Sequence, residues 1–387
     1  MSFARLVTIN EFSLKLAKNK KKRQNLRGSA SEPLPGTFGP RSPATVENPT
    51  PRRLDSITTH TTMDQPSPTH PPVIFLMGPT ASGKSRLAME LATRLPCEIV
   101  NADSVQIYRG MTIGAAKPTT EERHQIPHHL LDVTGPDTPW SADRYREAAW
   151  ELIPHLHARG VIPLFVGGSG LYLRAVEQGL AATPPIDTTL LDQIRTEANQ
   201  SGWPEVHRML AEVDPESAQR ITLNDSQRIL RALSVWRATG IPLSRWQREQ
   251  PPPPPWPILK LALLPPRTLL YPRIEARFDQ MLDRGLLDEA RTLLKQGCDR
   301  TLPAMKAVGY RQLFEYLDGK HTLAEAIHLA KQESRRYAKR QETWLKREKR
   351  LILLTQEPFI EEALAHISLF LEVACPKKPD AGAHPTP

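Results

Sequence analysis

The chain has 387 residues, of which 39% are hydrophobic and 24% charged, as in a globular protein with one large or two modest domains. No run of about 18 apolar residues occurs, which excludes a transmembrane helix and predicts a soluble protein without a membrane partner. Three widely separated cysteines offer neither a disulfide framework nor a zinc spacing, and fit a reducing compartment.

The formal net charge of +9 is concentrated near the amino terminus. Residues 1–62 hold eleven Lys and Arg against four Asp and Glu, whereas the rest of the chain holds 40 against 38. The overall charge therefore says little about nucleic-acid binding by the folded part, and local clusters must carry that argument.

Residues 1–71 are predicted to be disordered, because a basic run at 18–23 precedes Ser, Thr and Pro with few core-forming side chains. The first 30 residues have the composition of an organellar transit peptide, and the basic run alone that of a nuclear or nucleic-acid arm. Met63 stands just ahead of the first predicted strand, so residues 1–62 are also open to interpretation as an upstream extension from a misassigned start. A Pro-rich tail at 373–387 is predicted to be disordered as well.

The first folded segments alternate between strand and helix patterns. The apolar run at 73–77 ends at Gly78, and helical spacing of apolar residues follows over 84–95. Apolar runs at 97–103 and 161–170 repeat the strand signal, with helical spacing over 142–159 between them. This alternation predicts a parallel sheet with flanking helices.

The middle of the chain is helical in pattern from 190 to 248, until five prolines at 251–255 break it. Those prolines are interpreted as a stiff connector, with a ligand for a proline-recognising domain as the alternative. The run at 258–264 predicts one returning strand, and helical patterns follow over 271–296 and 322–350. The predicted class is therefore α/β: a P-loop parallel sheet with flanking helices at 72–187 and 257–356, and a mostly helical insertion domain at 188–256.

The loop after the first strand matches G-x-x-x-x-G-K-[ST], a pattern typical of loops that bind a di- or triphosphate. Its glycines let successive N–H groups point inward at a helix N-terminus. Lys84 would place a charge on the phosphates, and the Ser85 hydroxyl is predicted to ligate Mg²⁺. The predicted phosphate-binding residues are Gly78, Pro79, Thr80, Ala81, Ser82, Gly83, Lys84 and Ser85.

A phosphate loop does not name the reaction, because kinases, GTPases and other diphosphate users share it. DVTG at 132–135 imitates a GTPase switch, but the absence of an N-K-x-D guanine motif from the folded part argues against a GTPase. GGSGLY at 167–172 lacks the last glycine of a dinucleotide loop, and is interpreted as a strand-end loop from which Ser169 donates to a phosphate oxygen.

Asp103 follows the second strand, at the sheet edge where ligands of this architecture bind. Its carboxylate is interpreted as a general base or metal ligand, with a cap of the following turn as the alternative. His124, His128, His129 and Asp132 resemble a metal cluster, but a strand would turn His128 and His129 to opposite faces, so no transition metal is expected.

Three segments carry basic side chains that suit RNA. Residues 224–240 place Gln227, Arg228 and Arg231 on one side of a helix, which fits phosphate recognition or an ordinary solvated face. Nine Lys and Arg lie between 331 and 350 with Tyr337 and Trp344 among them, and indicate contact with an RNA backbone. KAVGYRQ at 306–312 adds a glycine and two cations.

Eight ordered segments between Val73 and Leu354 together resemble the tRNA dimethylallyltransferase family. They are GPTASGKS, NADSVQIYRGMTIGAAKP, PHHLLD, VGGSGLY, NDSQRILRAL, RIEARFDQML, AVGYRQ and AKRQETWL. The resemblance implies an enzyme that transfers the dimethylallyl group of dimethylallyl diphosphate to N6 of adenosine 37 beside the tRNA anticodon, releasing diphosphate. The zinc-finger extension of eukaryotic cytosolic and nuclear members is absent, which implies a bacterial or organellar type.

The resemblance also implies roles for residues. The phosphate loop, Ser169 and Arg277 hold the diphosphate of the prenyl donor rather than ATP, and Asp103 takes the N6 proton. Two positions depart from the family pattern: Ser169 stands where Thr is common, and Leu191 where bacterial members often have an arginine that touches tRNA. The residues implied to contact tRNA are Asp103, Ser104, Val105, Gln106, Gln227, Arg228, Ile229, Leu230, Arg231, Lys306, Ala307, Val308, Gly309, Tyr310 and Arg311.

The implied partners are tRNA, through its anticodon stem-loop, and dimethylallyl diphosphate, with Mg²⁺ as cofactor. A cytoplasmic monomer is expected, or an organellar one if residues 1–62 are a transit peptide. Two rival classes stay open from the residues alone. A P-loop small-molecule kinase would use Lys84, Ser85 and Asp103 in similar roles, and a non-catalytic RNA-binding protein would bind through the basic helices.

Overall fold

The computed structural model describes residues 71–249, 252 and 256–374. The predictions for residues 1–70, for the proline connector at 251–255 apart from Pro252, and for the tail at 375–387 lie outside these residues. Disorder at 373–374 was predicted wrongly, because both residues belong to a helix. Six parallel strands form one sheet in the order β3-β2-β4-β1-β5-β6. The strands are β1 Val73–Met77, β2 Cys97–Ala102, β3 His128–His129, β4 Ile162–Gly167, β5 Ile258–Leu263 and β6 Leu351–Leu354. The predicted α/β class with a parallel sheet is confirmed.

Fourteen α-helices surround the sheet or follow it within the described residues, and none of them is long and apolar enough to cross a membrane. They are α1 Lys84–Arg94, α2 Thr120–Gln125, α3 Ala142–Ala158, α4 Gly170–Gln178, α5 Thr188–Ser201, α6 Trp203–Val213, α7 Pro215–Arg220, α8 Ser226–Thr239, α9 Leu243–Arg248, α10 Arg267–Asp283, α11 Leu286–Lys295, α12 Tyr310–Leu317, α13 Leu323–Leu345 and α14 Phe359–Ala374.

Strand β1 lies inside the sheet and is buried on both faces. Val73, Phe75 and Met77 pack in the cluster on one face, and Ile74 and Leu76 in the cluster on the other. A strand covered on both faces needs apolar side chains at every position, which explains the continuous run rather than an alternating pattern. The carboxyl ends of β1, β2 and β4 meet at one edge, where ligands of parallel sheets bind.

Helices α5 to α9 form a hydrophobic cluster of their own, which includes Ile194, Leu210, Ile229 and Leu233. Their amphipathic spacing places these apolar side chains inward and the charged ones outward. The segment between β4 and β5 is thus helical along most of its length, as the sequence pattern predicted.

The carboxyl-terminal part differs from the sequence prediction in two places. The predicted helix over 271–296 is two helices, because Gly285 adopts a left-handed φ of 96° and begins α11. The chain after residue 350 adds strand β6 and helix α14, neither of which was predicted. The apolar run of a four-residue edge strand is too short to recognise in the sequence. Helix α14, which packs on the sheet, lies in a part of the sequence for which no element was predicted.

The segment just after helix α13 is tied to the sheet by charged side chains. Lys260 of β5 is buried and pairs with Glu177 at 2.8 Å and with Glu348 at 3.3 Å. Arg174 of α4 also pairs with Glu348, at 3.2 Å. A buried lysine needs such partners because an unpaired charge is costly away from water. The network fixes the segment just after α13, and α13 carries several side chains of the site.

Candidate active site

The phosphate loop connects β1 to α1 with a backbone that only some residues can adopt. A Cβ added at Gly78 would lie 2.5 Å from Ser82 Oγ and 2.9 Å from the carbonyl oxygen of Leu263. Gly83 and Ala81 have φ of 93° and 62°, in the left-handed region. The Ser82 N–H donates to the carbonyl of Pro79 at 3.2 Å. The loop therefore curls tightly into the amino end of α1, where the first helical N–H groups are free for an anion.

Two cations lie beside this loop. Lys84 Nζ donates to the Pro79 carbonyl at 3.2 Å, and Arg277 of α10 donates from Nη2 to Thr80 Oγ1 at 2.7 Å. Burial lowers the pKa of Lys84 to about 8, and the Asp103 carboxylate opposes part of that shift. Burial also lowers the pKa of Arg277, against the same carboxylate. The site holds two positive charges that are partly shielded from solvent, where they act more strongly on an anion than in bulk water.

Asp103 is held in a turn by hydrogen bonds from its neighbours. Its Oδ1 accepts the N–H of Val105 at 2.8 Å, so the turn-cap interpretation accounts for that oxygen. Buried Asn101 accepts the N–H of Asp103 at 2.9 Å and donates to its carbonyl at 3.1 Å. Within the described residues Oδ2 has no hydrogen-bond partner, and Asp103 lines the cavity. One oxygen fixes the turn and the other is available for a proton.

The second glycine loop contacts both the phosphate loop and the Asp103 turn, since a Cβ added at Gly168 would lie 2.9 Å from the carbonyl oxygen of Gly78. Ser169 Oγ accepts the N–H of Ser104 at 3.0 Å. Tyr337 of α13 lines the cavity beside this turn. Burial raises the pKa of Tyr337 to about 12, so its hydroxyl keeps its proton at neutral pH. The Ser169 hydroxyl oxygen thus accepts from the backbone that carries Asp103, and the donation of its proton to a phosphate oxygen stays a prediction.

Gln341 is a site residue that the sequence argument missed. Its Oε1 accepts the N–H of Thr80 at 2.9 Å, and its Nε2 donates to the carbonyl of Gly168 at 3.0 Å. The signal was present, because Ala338, Gln341 and Leu345 share helical spacing and all are buried. A polar residue on the apolar stripe of a helix needs buried partners.

A cavity of about 360 Å³ joins these groups. Thr80, Lys84, Asp103 and Arg277 form its polar part. Its apolar wall comes from loops and from helices α10 and α11, with Tyr108, Trp140, Phe278, Met281 and Leu286. The cavity thus combines an anion-binding region, one carboxylate and a hydrophobic surface, the usual composition of a pocket for an amphiphilic substrate.

The segments assigned to tRNA divide into lining and buried residues. Ser104, Val105, Lys306, Ala307, Val308 and Gly309 line the cavity, and Arg311 is exposed. Gln106 lies beside it, and its Nε2 donates to the carbonyls of Ala115 and Ala116. Tyr310 is fully buried, and its hydroxyl donates to Glu289 at 2.6 Å. The prediction that the Tyr310 side chain contacts tRNA is therefore wrong. Tyr310 packs behind the residues that line the cavity.

Helix α8 lies outside the cavity lining. Gln227, Arg228 and Arg231 are exposed along it, as the helical pattern predicted. Ile229 and Leu230 are buried in the cluster of helices α5 to α9, at 0% and 5% exposure. These two side chains cannot contact tRNA, because the resemblance matched a block of sequence whereas the helical period turns these two residues inward.

The basic run at 331–350, which covers the second half of α13 and the residues just after it, is only partly free. Lys331 pairs with Asp279, Arg335 with Glu275 and Arg336 with Glu333. Lys346 pairs with Glu342 at 2.6 Å. The cations of the run without an ion-pair partner in the described part of the chain are Lys339, Arg340, Arg347, Lys349 and Arg350. RNA contact along this run is thus restricted to a subset of the nine.

The histidine segment forms the short strand β3. His128 Nδ1 is 2.8 Å from the Ile126 carbonyl, and His129 Nε2 is 2.8 Å from Glu98. Residues 71–374, apart from the undescribed prolines, contain no group of three or more His, Cys, Asp or Glu that could hold a metal. Ser85 is exposed at the start of α1. One hydroxyl suits Mg²⁺, which keeps waters and takes most of its protein-site ligands from substrate phosphates.

Comparison with known proteins identifies relatives over nearly all of the described chain. The family model described as IPP transferase matches residues 106–348, and the model described as isopentenyl transferase matches residues 71–135. The tRNA dimethylallyltransferase of Magnetococcus marinus is 51% identical over 301 residues, covering 76% of this chain and 98% of that protein. That of Geobacter metallireducens is 46% identical and covers 72% and 91%.

Solved structures give the same result. The tRNA isopentenylpyrophosphate transferase of Bacillus halodurans superposes with a TM-score of 0.59 at 35% identity, covering 79% of this chain and 98% of that one. A eukaryotic dimethylallyltransferase acting on tRNA superposes with a TM-score of 0.68 at 27% identity, covering 80% and 82%. The chain belongs to the tRNA dimethylallyltransferase family.

Proposed function

We propose that this protein transfers the dimethylallyl group from dimethylallyl diphosphate to N6 of adenosine 37, beside the anticodon of tRNA, and releases diphosphate. The observation that carries the proposal is the single cavity in which a phosphate loop with two cations faces one carboxylate across an apolar surface. A prenyl diphosphate has the matching parts: an anion at one end and a small hydrocarbon at the other.

The leaving group would lie in the phosphate loop. As the bond between C1 and the diphosphate oxygen breaks, negative charge grows on the diphosphate, and Lys84, Arg277 and the loop N–H groups stabilise it. Lys84 and Arg277 are already held by hydrogen bonds to the loop, so they need little reorganisation during the reaction. Bound Mg²⁺, held by the diphosphate and by the Ser85 hydroxyl, would add positive charge at the same place.

Asp103 would accept the proton of the nucleophile. The exocyclic amine of adenine is a weak nucleophile, because its lone pair is delocalised into the ring, so its proton must leave as the new C–N bond forms. The free Oδ2 of Asp103 is the acceptor we assign, since Oδ1 is engaged with Val105. The base must leave its stack to reach the cavity, at a cost of a few kcal/mol.

Contacts with the tRNA backbone would offset that cost. We assign them to the exposed residues of three regions: Lys306 and Arg311, the outer face of α8 in the helical insertion, and the unpaired cations of the basic run at 331–350. We further propose that the protein acts as a monomer in the cytoplasm, since one chain supplies every residue of the cavity and the relatives named above include bacterial enzymes.

The deciding experiment combines the protein with dimethylallyl diphosphate, Mg²⁺ and an unmodified tRNA carrying A36-A37-A38, followed by digestion to nucleosides. Formation of N6-dimethylallyladenosine at position 37 is expected. ATP-dependent phosphate transfer without RNA would favour a P-loop kinase, and tRNA binding with no product would favour a non-catalytic RNA-binding protein.

Replacing Lys339 and Arg347 with Gln should weaken tRNA binding and flatten its salt dependence, because fewer counterions are released. The slope of log K against log salt should fall by about 1 to 2 for two lost phosphate contacts. Binding titrations at several salt concentrations measure this. Replacing Lys331 and Arg336, which are paired with acids, is the matched control and should change the slope less. An equal change in both pairs would contradict the assignment.

A chain that begins at Met63 should keep both tRNA affinity and turnover. The family match begins at residue 71, and every residue of the cavity follows it. Parallel measurement of kcat/KM at moderate salt compares the two forms. A tenfold loss in the shorter chain would assign phosphate contacts to the basic run at 18–23.

A further inference from the structure

Gln341 connects two loops that are distant in sequence. Its side chain is 6% exposed on the inner face of α13, and both of its polar atoms are hydrogen-bonded to backbone. Oε1 accepts from Thr80, which follows β1, and Nε2 donates to Gly168, which follows β4. β1 and β4 are neighbours in the sheet, so Gln341 spans the two strand ends that meet at the cavity.

Each of these loops serves a different part of the proposed reaction. Thr80 belongs to the phosphate loop and accepts a hydrogen bond from Arg277. Gly168 directly precedes Ser169, whose hydroxyl holds the backbone of Ser104 next to Asp103. Gln341 therefore lies on a hydrogen-bonded path from the diphosphate side of the cavity to the proton-acceptor side.

The residues around Gln341 are tightly packed. A Cβ at Gly168 would lie 2.1 Å from Gln341 Nε2 and 2.9 Å from the carbonyl oxygen of Gly78. A Cβ at Gly170 would lie 2.3 Å from the ring of Trp344, also on α13. The two loops and the helix are in close contact. Loss of the two Gln341 hydrogen bonds would therefore change the distance between the loops rather than leave an empty space with the loops unmoved.

We propose that Gln341 is a positioning residue that sets the spacing between the phosphate loop and the Asp103 turn, and so aligns the prenyl C1 with the attacking nitrogen. The inference rests on the proposed function. Both polar atoms of Gln341 are engaged by backbone, so its role is to place other groups rather than to touch the reacting atoms. Reacting atoms must be held about 3 to 3.5 Å apart, and a misplacement of about 1 Å can cost about 10²-fold in rate.

Misalignment has a chemical signature. If C1 parts from diphosphate while N6 is out of line, a water oxygen bonds to C1 instead, and its proton goes to solvent. The products are then dimethylallyl alcohol and diphosphate, with tRNA unchanged. The ratio of alcohol to modified nucleoside reports alignment directly, and loss of folded protein alone does not move it.

The test compares Gln341→Met, which keeps the length but removes both hydrogen bonds, with wild type and with Thr343→Ala on the exposed side of α13. Gln341→Met should lower kcat about 10- to 100-fold, leave the KM values for dimethylallyl diphosphate and tRNA within about threefold, and raise the alcohol fraction. Hydrogen exchange at the Thr80 amide should accelerate. Thr343→Ala should match wild type in all of these.

Three outcomes would overturn the assignment: a normal kcat, a lower kcat with an unchanged alcohol fraction, or an unchanged exchange rate at Thr80. Gln341→Glu, which keeps an oxygen facing the Thr80 N–H but loses the donor to Gly168, gives the same comparison if the Met variant does not fold. Failure of the wild-type protein to modify tRNA would instead reject the proposed function, while the exchange measurement would still report whether Gln341 bridges the loops.

Discussion

Replacing Asp103 with Asn should lower kcat by about 10² to 10⁴, the usual contribution of a general base. Asparagine keeps the size of the side chain and an oxygen for the Val105 N–H, so the turn built on Oδ1 should survive. What disappears is the acceptor at Oδ2. The dissociation constants for tRNA and for dimethylallyl diphosphate with Mg²⁺ should stay within a few-fold of wild type.

Single-turnover kinetics with tRNA in excess, together with binding titrations for each substrate, separate the rate effect from the binding effect. The matched control is Asp288→Asn, the same chemical change at an exposed position on α11, and it should turn over normally. If Asp103→Asn also turned over normally, the base would be elsewhere. If it lost Mg²⁺-dependent diphosphate binding, Asp103 would be a metal-site residue and a kinase-like reaction would gain support.

The phosphate loop and the strands were accessible from sequence because each depends on neighbours in the chain. The loop pattern requires glycine where the backbone curls, and β1 requires apolar residues because both of its faces are covered. The edge strand β6 and helix α14 were missed, since a four-residue strand is indistinguishable from a helix end until its partner β5 is known.

Side-chain direction was the weaker part of the sequence argument. The resemblance assigned whole blocks to tRNA, including Ile229, Leu230 and Tyr310, all of which are buried. Helical periodicity already places the two residues of α8 on the side opposite their basic neighbours, and assigning the whole block to tRNA disregarded it. Tyr310 could not be placed this way, because its partner Glu289 comes from another helix and is identified only by the fold.

Contacts between distant elements stayed outside sequence reasoning altogether. Gln341 meets Thr80 and Gly168 across 261 and 173 positions of the chain. Glu289, which lies outside the eight quoted segments, accepts hydrogen bonds from the backbone N–H groups of Thr112, Ile113 and Gly114. In both cases a polar side chain from one part of the chain holds the backbone of a distant part in place.

Replacing Lys84 with Ala should weaken binding of dimethylallyl diphosphate about 30-fold or more, the lower end expected when one partner of a buried charged contact, worth ~2 kcal/mol or more, is removed. Unlike Asp103→Asn, this change should act on affinity as well as on kcat. Lys84→Met, which keeps most of the length without the charge, should behave like Lys84→Ala. The matched control is Arg86→Ala, which removes an exposed cation two residues further along α1 and should change affinity only slightly.

The same lysine makes affinity for the prenyl diphosphate depend on pH. Because burial lowers the pKa of Lys84 to about 8, the ammonium loses its proton as pH rises through that value in the free protein. A neutral amine attracts the diphosphate less, so the Kd of wild type should be nearly constant from pH 7 to about 8 and should increase above it. Calorimetric titration across that range should show this rise in wild type and a flat profile in Lys84→Ala. If the Kd of the alanine variant also rose with pH, another group would be responsible for the titration. If the wild-type Kd stayed constant up to pH 9.5, Lys84 would keep its proton and would not control affinity in this range.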